Sequence, residues 1–190
     1  MRVIVTSFRI SLALMIFCGL LYNLAVTGIA QAVMPERADG SLIYNEQGQL
    51  IGSELIGQSF NDPSLFHGRE SSIGYSADGS GSPNYAPSNT DMFDRVQLFV
   101  QNWEANNPDV PIGEVPVDLM TNSGSGLDPH ISPDAAKVQI PRIAQKTGIA
   151  IEQLESLVVE YTDSRELGIL GEPTVNVLKL NMALQRLMSS

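Results

Sequence analysis

A single cysteine, two histidines and few basic residues set the first limits on this chain. Cys18 has no second cysteine to pair with, so an intramolecular disulfide is excluded and the fold must rest on packing. His67 and His130, without further cysteines or a carboxylate cluster at ligand spacing, do not make a zinc site, and no metal ligands are assigned. Bases number 11 against 21 acids, a formal charge of −10. Arg2 and Arg9 precede residue 35 and no acid does, so residues 35–190 hold 9 bases and 21 acids, a charge of −12. A surface that acidic is a poor partner for nucleic acid or anionic lipid. Internal repeats and coiled-coil heptads are also lacking.

What the chain does have is oil at its start. Ile10 to Met34 is a run of 25 residues without Asp, Glu, Lys or Arg. As a helix it reaches roughly 37 Å, enough to cross a hydrocarbon core of about 30 Å with some tilt. Backbone in lipid must satisfy its own polar groups, so the run is expected to be helical. Residues 1–9 then form a short tail with Arg2, Arg9 and the amino terminus, and basic flanks stay on the cytoplasmic side. Residues 35–190 are thereby placed outside the cell, as one soluble domain of a size that suits a single core. A cleaved signal peptide is the competing reading, with Ala30-Gln31-Ala32 as the cleavage pattern, but signal h-regions of about 7–15 residues are shorter than this run. Asn23 is costly facing lipid, and Gly19, Thr27 and Gly28 are small enough for close approach, so this helix is expected to pack against other membrane helices.

After the span, Ser41–Tyr44 and Gln49–Ile56 flank Asn45-Glu46-Gln47-Gly48 and read as a hairpin. Arg69 reads more readily as a structural salt bridge than as an anion clamp. Ser71–Asn89, rich in Gly, Pro, Ser and Asn, is a long loop. Loops of that length in a compact domain tend to be functional, but this one has no Lys and cannot be a P-loop. A helix then starts with Ser88 and Asp91 in a capping-box pattern and buries Met92, Val96, Phe99, Val100 and Trp103 on one face. Val115–Met120 reads as a strand. A second helix is capped by Ser132 with Pro133 at its first position, is bent by Pro141 and closes at Gly148. Ile151–Tyr161 is a third helix, Thr174–Val177 a short strand, and a last helix turns Val177, Leu180, Asn181, Leu184 and Leu187 inward. The domain is therefore mixed, of α/β or α+β type.

Strand, Ser/Gly loop and helix start at Leu119–Ala136 form an arrangement in which backbone donors cradle anions. Ser with Asp128 and His130 invites a hydrolase reading. It is rejected because Pro129 holds Asp128 and His130 apart and no nucleophile elbow is present, so no catalytic residue is assigned.

Those residues carry a resemblance. Asp118-Leu119, Ser123 through Pro133, Ala135-Ala136, Gln139 and Arg142-Ile143-Ala144 resemble the C subunit of the Kdp-type potassium-transporting ATPase. So do Gly52-Ser53, Ile56-Gly57-Gln58, Phe66-His67-Gly68-Arg69, Ser82 through Asn89, Gly171-Glu172-Pro173 and Leu180-Asn181. Local departures are Tyr22-Asn23, where Tyr-Pro is common, and Gly81-Ser82-Pro83-Asn84. The resemblance implies a non-catalytic but required subunit of a bacterial inner-membrane pump, with no cofactor of its own. Its partners would be a channel-like subunit that selects potassium and a P-type subunit that hydrolyses ATP. The phosphorylated-Asp sequence of such pumps is absent here. The family is described as a catalytic chaperone that raises ATP affinity, which conflicts with a domain outside the cell; bracing the outer face of the potassium-selecting subunit fits better. If ATP does bind, Ser123, Gly124, Ser125, Gly126 and Gln139 are the candidates. A stand-alone anchored binding protein for a small ligand and a secreted enzyme are the rival classes.

Overall fold

The computed structural model describes residues 1–189, which fall into two compact units, Met1–Ser53 and the remainder from Glu54. The first unit opens with a continuous helical rod over Arg2–Val33, 32 residues of which none is buried. It starts at Arg2, eight residues earlier than the apolar run, because nothing in the tail breaks a helix. Helix α1 (Arg2–Leu14) runs into a π-helical segment, Met15–Leu21, and then into α2 (Tyr22–Val33). A π segment widens the turn and disturbs the i to i−4 ladder. Asn23 answers this from within the helix: its Nδ2 donates to the Gly19 carbonyl at 2.8 Å and the Cys18 carbonyl at 3.4 Å. A short turn, α3 (Pro35–Ala38), leads to the expected hairpin, β1 (Leu42–Tyr44) paired with β2 (Leu50–Ser53).

The second unit is built on a three-stranded antiparallel sheet in the order β3 (His130–Ile131), β5 (Thr174–Asn176), β4 (Thr162–Asp163). Antiparallel pairing selects α+β from the two expected classes. Around the sheet lie α4 (Thr90–Asn106), α5 (Val117–Met120), α6 (Pro133–Lys137), α7 (Ile140–Thr147), α8 (Ile151–Glu160) and α9 (Val177–Ser189). Ile131, Ala135, Ile143, Leu154, Val175, Leu180 and Leu184 are buried together between them. Trp103 of α4 packs on the same core, stacked with Phe99 at 6.0 Å, and its Nε1 donates to the Val110 carbonyl at 3.0 Å.

Four expectations need correction. Val115–Met120 is not a strand: a 3₁₀ turn, Ile112–Glu114, precedes α5. Pro116 takes the N-cap of α5, where its missing N–H costs nothing, and the Asp118 carboxylate leaves the helix to accept from the Ser132 N–H at 2.8 Å. Helix α4 is capped by Asn89 rather than Ser88; its side chain accepts from the N–H groups of Asp91 and Met92. Pro141 does not bend one helix. The helix breaks after Lys137, and Pro141 sits in the first turn of α7, where proline is tolerated. Leu187 lies a turn beyond the core and is exposed. The Ser132 cap, Pro133 and the left-handed Gly148 stand as expected.

Candidate functional site

The site is organised by a segment outside any helix or strand, residues 65–69, whose backbone is held by side-chain amides. Asn181 of α9 accepts from the Phe66 N–H at 2.8 Å and donates to the Phe66 carbonyl at 2.9 Å. Gln139, at the start of α7, does the same to His67, at 2.8 and 3.0 Å, and also donates to the Ala135 carbonyl. Both amides are almost wholly buried, and Phe66 is fully so. A primary amide offers a donor and an acceptor side by side, as a strand neighbour does, so it can pair with a backbone that has no strand beside it. Arg142 completes the clamp. Its guanidinium donates to Asn107 Oδ1, to Gln139 Oε1 and to the carbonyls of Pro63 and Leu65. Burial pulls its pKa down to about 10, still far above neutrality, so it stays charged. Burial, with the Arg142 charge adding to it, also lowers the pKa of His67, whose Nε2 meets the Asp62 carbonyl at 2.9 Å.

Downstream, Arg69 Nη1 bonds Asp128 at 3.1 Å and Nη2 the Asn122 carbonyl at 3.2 Å. This is the structural salt bridge expected of it. The long loop then folds back onto residues 123–127. Ser71 Oγ donates to the Gly126 carbonyl at 2.6 Å, the Gly81 N–H to the Ser125 carbonyl at 2.9 Å, and Asn122 Nδ2 to Ser82 Oγ at 2.7 Å. Gly126 sits at φ +72°, and a Cβ there would meet Ile73 at 2.7 Å, so the contact requires glycine. A cleft of about 510 Å³ opens against the amide-held segment, lined by Phe60, His67, Arg69, Tyr75, Phe99 and Gln139 among others. Arg69 Nε is buried without a hydrogen-bond partner.

The five candidate residues do not share one surface. Gln139 lines the cleft, whereas Ser123, Gly124, Ser125 and Gly126 do not. Ser123 is buried and its Oγ accepts from the Gly126 N–H at 2.8 Å; Ser125 Oγ accepts from the Leu127 N–H at 3.0 Å. Gly124 is exposed, with open space where a Cβ would stand. The reason given for dismissing a hydrolase needs correction: Pro129 does not keep Asp128 and His130 apart, since His130 Nδ1 is 3.6 Å from Asp128 Oδ1. The carboxylate is nonetheless occupied by Arg69 and by the His130 N–H at 3.0 Å. No group of three or more metal-ligating side chains occurs among the described residues.

The sequence behind this arrangement recurs in known proteins. The family model described as "K+-transporting ATPase, c chain" matches residues 4–186. The chain is 57% identical over 180 residues to a Potassium-transporting ATPase KdpC subunit of Bacillus anthracis, covering 95% of this chain and 93% of that protein. Over the same shares it is 58% identical to one from Bacillus cereus and 57% to one from Bacillus thuringiensis subsp. konkukian. The chain belongs to the KdpC family. The match takes in the apolar rod as well as the second unit, so both are part of the family pattern. The amide clamps on Phe66 and His67 escaped sequence reasoning. Their traces were that Phe66-His67, Gln139 and Leu180-Asn181 fell within the motifs of the resemblance and that Asn181 lay on the inward face of the last helix.

One consequence of the ion pair is pH dependence. Burial pushes the Asp128 carboxyl up, but the His130 ring and N–H and the Arg69 guanidinium outweigh it and hold its pKa below the ordinary value. A carboxyl lowered on folding contributes stability that is present above its unfolded value of about 3.9 and lost as pH falls through the folded pKa. Asp128→Asn is therefore expected to melt below the parent at about pH 7, with the gap shrinking towards about pH 3. Fluorescence of Trp103, the only tryptophan, tracks the unfolding. An equal gap at both pH values would show that charge plays no part.

Proposed function

We propose that this subunit of a potassium-transporting ATPase does no catalysis of its own and braces the outer face of the pump. The amino terminus lies in the cytoplasm, the rod crosses the plasma membrane once, and the second unit stands outside. There it supports the channel-like subunit that selects potassium, while ATP is hydrolysed by the P-type subunit. The observation that carries this reading is the rod itself. It is free of charged residues from Ile10 onward and unburied throughout, with Arg2 and Arg9 in its first turns and all 21 acidic residues beyond its far end. Gly19, Asn23, Thr27 and Gly28 are the positions through which it packs on neighbouring membrane helices. Small residues at these positions let a neighbouring helix come close.

The catalytic-chaperone reading, with nucleotide at Ser123, Gly124, Ser125, Gly126 and Gln139, needs the second unit on the ATP side. Exposed Gly124 leaves room for a phosphate. Gln139 speaks against it, because its amide is engaged with His67, Ala135 and Arg142. One experiment separates the two. Exposed Glu155 on α8 is replaced by cysteine, with Cys18→Ser, and intact cells expressing the whole pump are treated with a membrane-impermeant maleimide. Labelling without permeabilisation, with two larger membrane proteins copurifying, is the expected outcome. Protection in intact cells would overturn the outer placement. Purification of the chain alone would favour the anchored binding protein.

A further inference from the structure

Between β4 and β5 the chain makes a projecting turn that the core does not use. Glu166 and Leu170 exchange both backbone hydrogen bonds, each at 2.9 Å, and the Gly168 N–H donates to the Arg165 carbonyl at 3.0 Å. An ion pair between Arg165 and Glu172 at 2.5 Å closes the neck. The turn is thus built, and what it presents is oil: Leu167 is 88% exposed, Ile169 75% and Leu170 54%. Leu167 holds φ at +52°, a conformation that favours Gly or Asn, yet a large aliphatic residue stands there. Surface loops are ordinarily polar, and clustered apolar side chains on an ordered protrusion mark a contact site.

Charge decides what it contacts. In the sequence flanking the tip, Glu160, Asp163 and Glu166 are exposed, and the one base, Arg165, is paired with Glu172. Anionic lipid would be repelled, and so would a second copy of a chain whose residues 35–190 carry −12. We propose that the Leu167–Leu170 tip inserts into an apolar pocket with a basic rim on another subunit of the pump. Aliphatic side chains in a desolvated pocket hold the contact, and the flanking acids orient it. This inference rests on the pump-subunit reading.

The test places a photoreactive benzoylphenylalanine at Ile169 in the full chain, coexpressed with the other pump subunits. Irradiation of the assembled, detergent-extracted pump is expected to crosslink position 169 to another subunit. Ile169→Asp is expected to lower the amount of chain retained in the purified pump at least several-fold, with Trp103 emission unchanged. A crosslink to lipid or to a second copy, or none in a pump that assembles, overturns the docking proposal. Should unmodified chain fail to copurify with any partner, the pump-subunit reading falls instead. If the Asp variant misfolds, the crosslink alone still decides.

Discussion

Gln139→Leu is expected to lower the stability of the second unit by about 4 kcal/mol, which for a domain of this size is a fall in melting temperature of roughly 12 °C. Leucine fills nearly the same space but offers no polar atoms. The substitution strands the His67 N–H and carbonyl, the Ala135 carbonyl and one nitrogen of Arg142, all bonded to Gln139 in the structure. A buried polar group left without a partner costs about 1–3 kcal/mol, and partial relaxation keeps the total below the sum. Out of a typical total of about 5–15 kcal/mol, such a loss puts the native state near the edge at growth temperature. Thermal unfolding of the detergent-solubilised chain, read by Trp103 fluorescence, checks it. A melting temperature within about 2 °C of the parent would mean that Gln139 is not the fastener of the 65–69 segment. Its side chain would then be free for another task, nucleotide contact included.

Gly57→Ala is the second large effect. The Gly57 N–H donates to the Leu127 carbonyl at 2.7 Å, which brings the two backbones into contact. A Cβ at Gly57 would lie 2.6 Å from the Asp128 carbonyl oxygen and 3.2 Å from that of Leu127. Those atoms are main chain and have no rotamer to escape into. The 127–128 backbone must therefore move away, the Gly57–Leu127 bond lengthens, and the Asp128 carboxylate is drawn from Arg69. We expect a loss of about 3 kcal/mol and a weaker pH dependence of stability, since the Asp128 ion pair loosens as well. Gly113→Ala is the control. A Cβ there meets nothing within 4 Å, and its melting curve should overlay that of the parent. Equal behaviour of the two variants would refute the close approach.

Residues near one another in the chain announced themselves; residues far apart did not. Helices α8 and α9 were legible because apolar side chains repeat at the helical period. The ends at Ser132-Pro133 and Gly148 were legible because capping is a contact between residues three or four apart. The misreadings have a common origin. Val115–Met120 has strand composition, but a strand needs a neighbour. The stretch pairs with none of β3, β5 and β4 and curls into α5. Pro141 can bend a helix or start one. The choice was made by Gln139 and Arg142, which must both point at the 65–69 segment, and a break after Lys137 allows it.

The sequence by itself determined the apolar rod, the acidic character of residues 35–190, the mixed class of the soluble part and the family. Each depends on composition, short-range period or motif, and none needs a distant partner. Only the tertiary structure decided that Asn181 holds Phe66 across 115 positions and Gln139 holds His67 across 72. It alone set Gly57 against Asp128, and it alone left Leu167, Ile169 and Leu170 in solvent. The physical reason is that a hydrogen bond or a steric contact depends on separation in space. Separation along the chain fixes that only within a turn or two of a helix.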